Sequence, residues 1–448
     1  MKKRAFLKNM MMVTGATLYP FLNFSFRTGD KSIIRTAHIG VGNMGFEDLK
    51  AISAHKKVKV TALCDVDMDY LQAAHALFPT AKIFKDYREM LDCLSDEIDA
   101  VVVSTPDHTH APASLMAMRK NLAVYCQKPL THYVSECHEM RRLAKEKNLV
   151  TQMGIQVHSF YDYKLATHLI RHGILGQVSK VIAWSNKNWG YQGPEPKKTD
   201  VIPAHLDWNL WLGTSKERNY LNGFYHPINW RKVRDYGCAT LGDMGVHIFD
   251  TPYHALDLEA PATVTNDCKP SQGFGFPERN IVRYTFEGTP YTTKEFEWIW
   301  FDGEEGPVLS EELILPNADK LPDQGAVFIG ENGKRLLLPH FMQIPKLIVE
   351  GEYKSINTSE FDMQYSINTP VRNYESESIK HYHEFVDSCL GKSKCSASFE
   401  YASKLTETIL LGVIAGRFPG RTLHYDKINA SFLEQEANQY LHGDYRLF

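Results

Sequence analysis

The sequence predicts an α/β chain in which a doubly wound parallel sheet is followed by a second unit built on a largely antiparallel sheet. Three observations lead there. Short apolar runs alternate with helical stretches up to about residue 155, and the first run ends in a glycine turn that opens a helix. Beyond residue 155 the texture changes to aromatic-rich alternating stretches broken by Pro/Gly loops. Strands separated by helices pair in parallel, whereas alternating strands joined by turns pair antiparallel.

In chain order, residues 36–42 (TAHIGVG) form an apolar strand ending in glycine, and residues 44–54 carry Leu49 and Ile52 at helical spacing. Residues 58–63 are a second strand that stops at Asp65. Residues 98–104 (IDAVVVS) are a continuous β-branched run of the kind that parallel sheets bury on both faces. Residues 122–126, the helix-like 134–147 and the strand-like 150–155 complete the first unit, read as residues 35–155. In the second, residues 156–430, stretches 281–286 and 295–300 alternate, and 379–390 and 401–414 show helical periodicity and pack on the sheet. Residues 431–448 read as an aromatic C-terminal arm, docking on the body or on a neighbouring subunit.

The 448 residues carry 50 Lys+Arg against 53 Asp+Glu, and 43% are hydrophobic. With a formal charge of −3 there is no global attraction to phosphate backbones or anionic lipid, which argues against nucleic acid and for a small-molecule partner. The eight cysteines show no CxxC and no metal-ligand spacing, so no metal site is expected; Cys389 and Cys395 are the one pair close enough in sequence to invite a disulfide.

Residues 1–30 differ from the rest. MKKRAFLKN is basic and polar, and residues 10–22 are apolar but interrupted by Gly15 and Pro20. That stretch is too short and broken for a membrane span, which needs about 20 apolar residues. Basic-then-apolar order is a signal-peptide pattern, and Lys3-Arg4 resembles a twin-arginine export signal with Lys in the first position. The expectation is export to the periplasm or beyond, with a cytoplasmic chain as the alternative and no membrane insertion of the mature protein.

Gly40, Gly42 and Gly45 form GVGNMG between a strand and a helix, with Asn43 and Met44 inside the turn. The first glycine permits the turn, the second lets a pyrophosphate approach, and the third lets helix pack on strand; the helix N-terminus then faces the phosphates. Asp65 ends the next strand run, where a carboxylate accepts hydrogen bonds from both adenosine ribose hydroxyls and repels a 2′-phosphate. The cofactor expected is therefore NAD, with NADP as the alternative.

These residues, together with STPDHTH (Ser104 to His110), CQKPL (Cys126 to Leu130), LDWNLWLG (Leu206 to Gly213), HPINWR (His226 to Arg231) and GDMGVHIFD (Gly242 to Asp250), occur in the order seen in the Gfo/Idh/MocA oxidoreductases, and the chain resembles that family over about residues 35–440. The resemblance is to its secreted bacterial members. It implies a Rossmann domain followed by an α/β domain with an open, mostly antiparallel sheet, an active site between them, hydride transfer on sugars or polyols, and frequent homo-oligomers. Thr105, Pro106 and His110 match the family loop beside the cofactor, and Gln127 and Lys128 are expected to reach the cofactor too, although Gln127 stands where the family's EKP motif has Glu. That exchange removes a charge next to Lys128.

Asp243 and His247 are four apart, so on an α-helix both point to one site, and a carboxylate beside an imidazole fixes its tautomer for work as a general base. The matching family positions have those roles. Lys128 resembles the EKP lysine, whose ammonium lowers the cost of developing alkoxide charge. By position, His158, Lys187, His226, Trp230 and Arg231 are candidates for substrate contact, and Trp208 and Trp211 for packing. Two other functions stay open: a glycoside-cleaving enzyme that retains its NAD and oxidises a sugar carbon transiently, and a non-catalytic NAD- or sugar-binding sensor.

Overall fold

The computed structural model describes residues 32–340, 342–364 and 373–448. The expected export segment, residues 1–30, lies outside the described residues.

The first half alternates strictly: β1 (Ile34–Ile39), α1 (Met44–Ser53), β2 (Val58–Cys64), α2 (Met68–Leu77), β3 (Lys82–Phe84), α3 (Tyr87–Leu94), β4 (Ala100–Val103), α4 (Asp107–Arg119), β5 (Ala123–Gln127), α5 (Val134–Glu146) and β6 (Thr151–Gly154). The strands form one parallel sheet in the order β3-β2-β1-β4-β5-β6. Every side chain of β4, Ala-Val-Val-Val, is buried, as expected where helices cover both faces. Asp67 and Asp86 cap α2 and α3 by accepting from the amides of Asp69 and Arg88. The strand order reverses between β1 and β4, and in such sheets a ligand lies in the crevice outside the C-terminal ends of the strands at that point.

The second half contributes α6 (Tyr161–Arg171), β7 (Val178–Ser185), α7 (Trp208–Leu212), α8 (Val246–Ala255), β8 (Thr263–Cys268), β9 (Asn280–Glu287), β10 (Thr292–Asp302), β11 (Gln324–Gly330), β12 (Arg335–Pro339), β13 (Lys346–Val349), β14 (Glu352–Lys354), α9 (Ser359–Gln364), α10 (Tyr374–Cys389), α11 (Phe399–Ala415), β15 (Thr422–Asp426) and β16 (Ser431–Phe432). Its sheet runs β14-β13-β12-β11-β7-β10-β9-β8-β15-β16, antiparallel except for the β7–β10 pair. On one face Trp298 and Trp300 pack into the core with Phe249 of α8, and Leu405, Ile409 and Ile414 of α11 belong to the same core. On the other, Ile182, Ile299 and Phe301 are roofed by Leu313 and Leu315 of the chain's own loop. That roof explains why β10, expected to alternate, ends in five consecutive buried residues.

The C-terminal arm lies on the body: the Tyr445 hydroxyl donates to Glu136 at 2.7 Å, Arg446 donates to Asn209 and Gly213, and the Phe448 ring sits under the Arg88 guanidinium. Cys395 is a thiol, which burial pushes up to about 12, so the Cys389–Cys395 bridge is not formed. No helix among the described residues is long and apolar enough to cross a membrane.

Candidate active site

A cleft of about 670 Å³ opens at the C-terminal ends of the parallel strands. Its floor is the glycine turn. Gly40 ends β1 at φ +80°, and a Cβ there would stand 2.6 Å from the Ser104 carbonyl oxygen; one on Gly45 would stand 2.1 Å from the Gly40 carbonyl. A Cβ on Gly42 would enter the Tyr70 ring, which closes over the turn. The α1 N-terminus has no side-chain cap, because the Asn43 amide donates instead to the Tyr70 hydroxyl at 3.2 Å. Its positive dipole end is therefore available to an anion. Asp65 lines the cleft and accepts from the amides of Val41 (2.8 Å) and Asp67 (2.9 Å), while burial raises its carboxyl to about 6. A turn that excludes Cβ atoms, an uncapped helix and a carboxylate at the end of β2 together fit a dinucleotide.

The same cleft is lined by Lys128, Asp243 and His247. Lys128 follows β5, and its Nζ donates to the carboxylate Oδ1 and the backbone oxygen of Asp243, each at 2.9 Å. Asp243 lies in a π-helical turn, Leu241–Gly245, that runs into α8. The wider turn changes the expected geometry. Asp243 does not bond His247 as a single α-turn would arrange; Oδ1 also accepts from Arg231 at 3.2 Å, and Oδ2 accepts from the Trp189 indole at 2.6 Å. Burial would raise the Asp243 carboxyl, but the Lys128 and Arg231 charges and the Lys128 hydrogen bond outweigh it and hold it well below the ordinary carboxylate range. Burial, reinforced by Lys128 and His340, pushes the His247 imidazole well below 6.5, so it is neutral, with a buried Nδ1 that has no hydrogen-bond partner among the described residues.

Family models match both halves of this arrangement: the Gfo/Idh/MocA oxidoreductase family's NAD-binding Rossmann fold over residues 34–155, and its C-terminal alpha/beta domain over residues 153–289. The chain belongs to the Gfo/Idh/MocA oxidoreductase family. Its cofactor is NAD. Relatives include a glycosyl hydrolase family 109 protein of Shewanella woodyi, 27% identical over 33% of each chain. Another is the 2,7-anhydro-N-acetylneuraminate hydratase of Escherichia coli, 26% identical over 58% of this chain and 60% of that one. The chain spans between a third and three fifths of the length of these relatives. Among solved structures, levoglucosan dehydrogenase in complex with NADH and L-sorbose aligns at TM-score 0.61 and 14% identity, over 88% of this chain and 99% of that one. The aldose-aldose oxidoreductase of Caulobacter crescentus complexed with glycerol aligns at 0.58 and 18%, with the same coverage.

Within this Gfo/Idh/MocA chain, Gly40, Gly42, Asn43, Met44, Asp65, Thr105, Pro106, Gln127 and Lys128 all line the cleft, whereas Gly45 packs beneath it. His110 is buried outside it, with its ring nitrogens 2.7 and 2.8 Å from the carbonyls of Pro129 and Thr105; it ties the cofactor loop to the Lys128 loop. Of the residues expected at substrate, Arg231, Trp230 and Lys187 line the cleft, and the Arg231 guanidinium stacks on Trp230 at 4.3 Å. His226 lines the dinucleotide end, where its Nε2 contacts Asp67 at 3.0 Å and its ring meets Tyr70. His158 does not reach the cleft: it is buried with Nδ1 2.9 Å from Asp250, whose carboxylate also accepts from Tyr401. A single histidine after a strand carries no sign of such a long-range partner.

Gln127 has a local explanation. Its Nε2 donates to both Asp48 oxygens at 2.9 Å, and Asp48 also accepts from Ser104 (2.6 Å) and Tyr382 (2.8 Å), while burial raises it to about 6. A glutamate at 127 would face that carboxylate at hydrogen-bond distance, and two buried carboxylates cannot both ionise there. The charge of Lys128 is met by Asp243 instead.

Sequence reasoning missed Tyr70, Asp107, Trp189 and His340, all of which line the cleft. Asp107 lay within STPDHTH and had a signal; burial raises its carboxyl to about 7, against the pull of Arg231 and Lys128. Trp189 and His340 sit in stretches without a motif and are brought in by tertiary pairing.

Proposed function

We propose that the protein transfers hydride between a hydroxyl-bearing carbon of a sugar or polyol and NAD. The observation that carries this reading is the convergence of the dinucleotide turn with Lys128, Asp243 and His247 in one cleft. When bound, NAD supplies the hydride acceptor. The rest falls to the chain. A lysine has three N–H donors, and two of those on Lys128 go to Asp243, which leaves the third to polarise the substrate oxygen as it loses its proton. His247, neutral because it is buried beside Lys128, accepts that proton. Asp243 holds the ammonium in place, and Arg231 and Trp189 hold Asp243. Trp189, half-buried in the cleft lining, is an aromatic ring of the kind that packs on the C–H side of a sugar ring. The names of the structural neighbours, an aldose-aldose oxidoreductase and a levoglucosan dehydrogenase, support a polyhydroxy substrate.

The test incubates the purified full chain with NAD and a panel of aldoses, anhydrosugars and polyols, following reduced-nicotinamide absorbance. It also measures nicotinamide released on denaturation. Reduction of added or retained NAD by at least one sugar, lost in His247→Ala, is the expected result. Full activity in His247→Ala, or no redox change across the panel in either direction, would sink it.

A further inference from the structure

We propose that the substrate carries a carboxylate, so that the cleft takes a sugar acid in preference to its neutral parent, and that Lys187, Gln324 and Arg231 select it. The inference deepens the sugar-oxidation reading above and rests on it. Beyond Lys128, Asp243 and His247 the cleft lining continues to Lys187, two residues past β7, and to Gln324, which opens β11. A chain of hydrogen bonds fixes what they offer. The Lys187 backbone N–H donates to Ser185 Oγ at 3.2 Å, and the buried Ser185 hydroxyl donates in turn to Gln324 Oε1 at 2.9 Å. A hydroxyl has one proton to give, so the Gln324 atom that receives it is the amide oxygen, and the NH₂ is the end left for the cleft. Neither that NH₂ nor the exposed Lys187 ammonium has a partner among the described residues. Arg231 adds a third donor: Asp243 holds its Nε at 3.2 Å and the Ile228 carbonyl its Nη1 at 3.3 Å, which leaves both N–H groups of Nη2. Its guanidinium carbon lies 5.6 Å from the centroid of the Trp189 ring, the aromatic surface of the same cleft.

Two properties of these groups point to the ligand. They are donors without acceptors. A sugar hydroxyl both donates and accepts and leaves its own proton unmet against such a set, whereas a carboxylate only accepts. The charge balance has the same sign. Lys128 and Arg231 share the Asp243 carboxylate, and Asp107, raised by burial to about 7 against the pull of Arg231 and Lys128, is only about half ionised at neutral pH. His247 is neutral. Lys187 has no carboxylate partner among the described residues, so its charge is the one left wholly unmet, a match for a monoanion. Such a wall rewards an acid group that a neutral sugar lacks, without adding a step to the hydride transfer.

The test measures steady-state oxidation by the full chain with NAD, comparing glucose, galactose and mannose with their uronates, aldonates and 6-phosphates, as free sugars and as methyl glycosides where these exist. The expected result is at least one sugar acid whose kcat/KM exceeds that of its neutral parent about 100-fold, an advantage that shrinks as salt is added. Lys187→Met should raise the KM for that acid about 30-fold and cost the neutral parent at least tenfold less. Gln324→Glu keeps the acceptor for Ser185 and turns the cleft-facing donor into a charged oxygen, so it should lower kcat/KM for the acid by a similar factor. Lys187→Glu should invert the preference, toward the 6-amino-6-deoxy analogue of the same sugar, a gain that a misfolded variant cannot show. Neutral sugars oxidised as well as their acids, a 6-phosphate preferred to every acid, or an acid preference that survives Lys187→Glu would overturn the inference and leave the oxidation reading standing. If no sugar of any charge is oxidised, that reading fails and takes this one with it.

Discussion

One wall of the cleft, from β1, α1 and β2, presents backbone: a turn that excludes side chains, an uncapped helix end and a single carboxylate, Asp65. The facing wall, from residues 187–247 and His340, presents side chains: Lys187, Trp189, Trp230, Arg231, Asp243, His247 and His340. Backbone features suit a ligand with invariant phosphates and riboses. A wall of side chains can be changed residue by residue, and the proposed function puts the choice of substrate and the chemistry there. Lys128, at the end of β5, joins the two because its ammonium reaches across to Asp243.

If the division holds, damage to one wall should leave the work of the other intact. The largest separation is expected from Lys128→Met, which removes the polarising ammonium: kcat for sugar oxidation should fall about 1,000-fold while the Kd for NAD, read by fluorescence titration, stays within about twofold. Comparable losses in both would erase the distinction. On the other wall, Gly40→Ala places a Cβ against the Ser104 carbonyl at a positive φ. It should cost about 2 kcal/mol in denaturant unfolding and weaken NAD binding. Trp189→Phe deletes the indole donor to Asp243 but keeps an aromatic face; a tenfold drop in kcat, roughly, with unchanged NAD affinity is expected in steady-state kinetics.

The smallest effect is the most diagnostic. The Asp65 carboxyl is raised to about 6, so as pH falls through that value it takes up a proton and loses an acceptor for the ribose hydroxyls; the Kd for NAD should rise about threefold between pH 7 and about pH 5.5. His247 is shifted the opposite way, below 6.5, so it stays an unprotonated base over the same range, and kcat at saturating NAD should change less than the Kd does. An acid limb in kcat as steep as that in NAD binding would contradict the assignment of His247.

The backbone wall was legible because its signals are local. A glycine pattern between strand and helix, followed by an acidic strand end, encodes geometry within thirty residues. The side-chain wall was legible only where a motif survived. The motifs carrying Lys128, Asp243 and His247 lead to residues that line the cleft, but not to their pairing: a spacing of four suggests one α-turn, and the chain makes a π-turn there, with Asp243 drawn to Lys128, Trp189 and Arg231. His158 shows the converse, since its partner Asp250 is 92 residues away and takes it out of the cleft. His340 reaches the site through β12, whose place in the sheet is set by pairing with β11 and β13.

Gln127 and Asp48 close on a different lesson. With the amide nitrogen spanning both carboxylate oxygens, neither position can change alone without harm: an acid at 127 puts two carboxylates face to face, and an amide at 48 turns a donor toward a donor. The usual family glutamate is therefore not one substitution away from this chain. A glutamate at 127 would keep the contact only by holding a proton between itself and Asp48, which ties the stability of that arrangement to pH in a way the amide avoids.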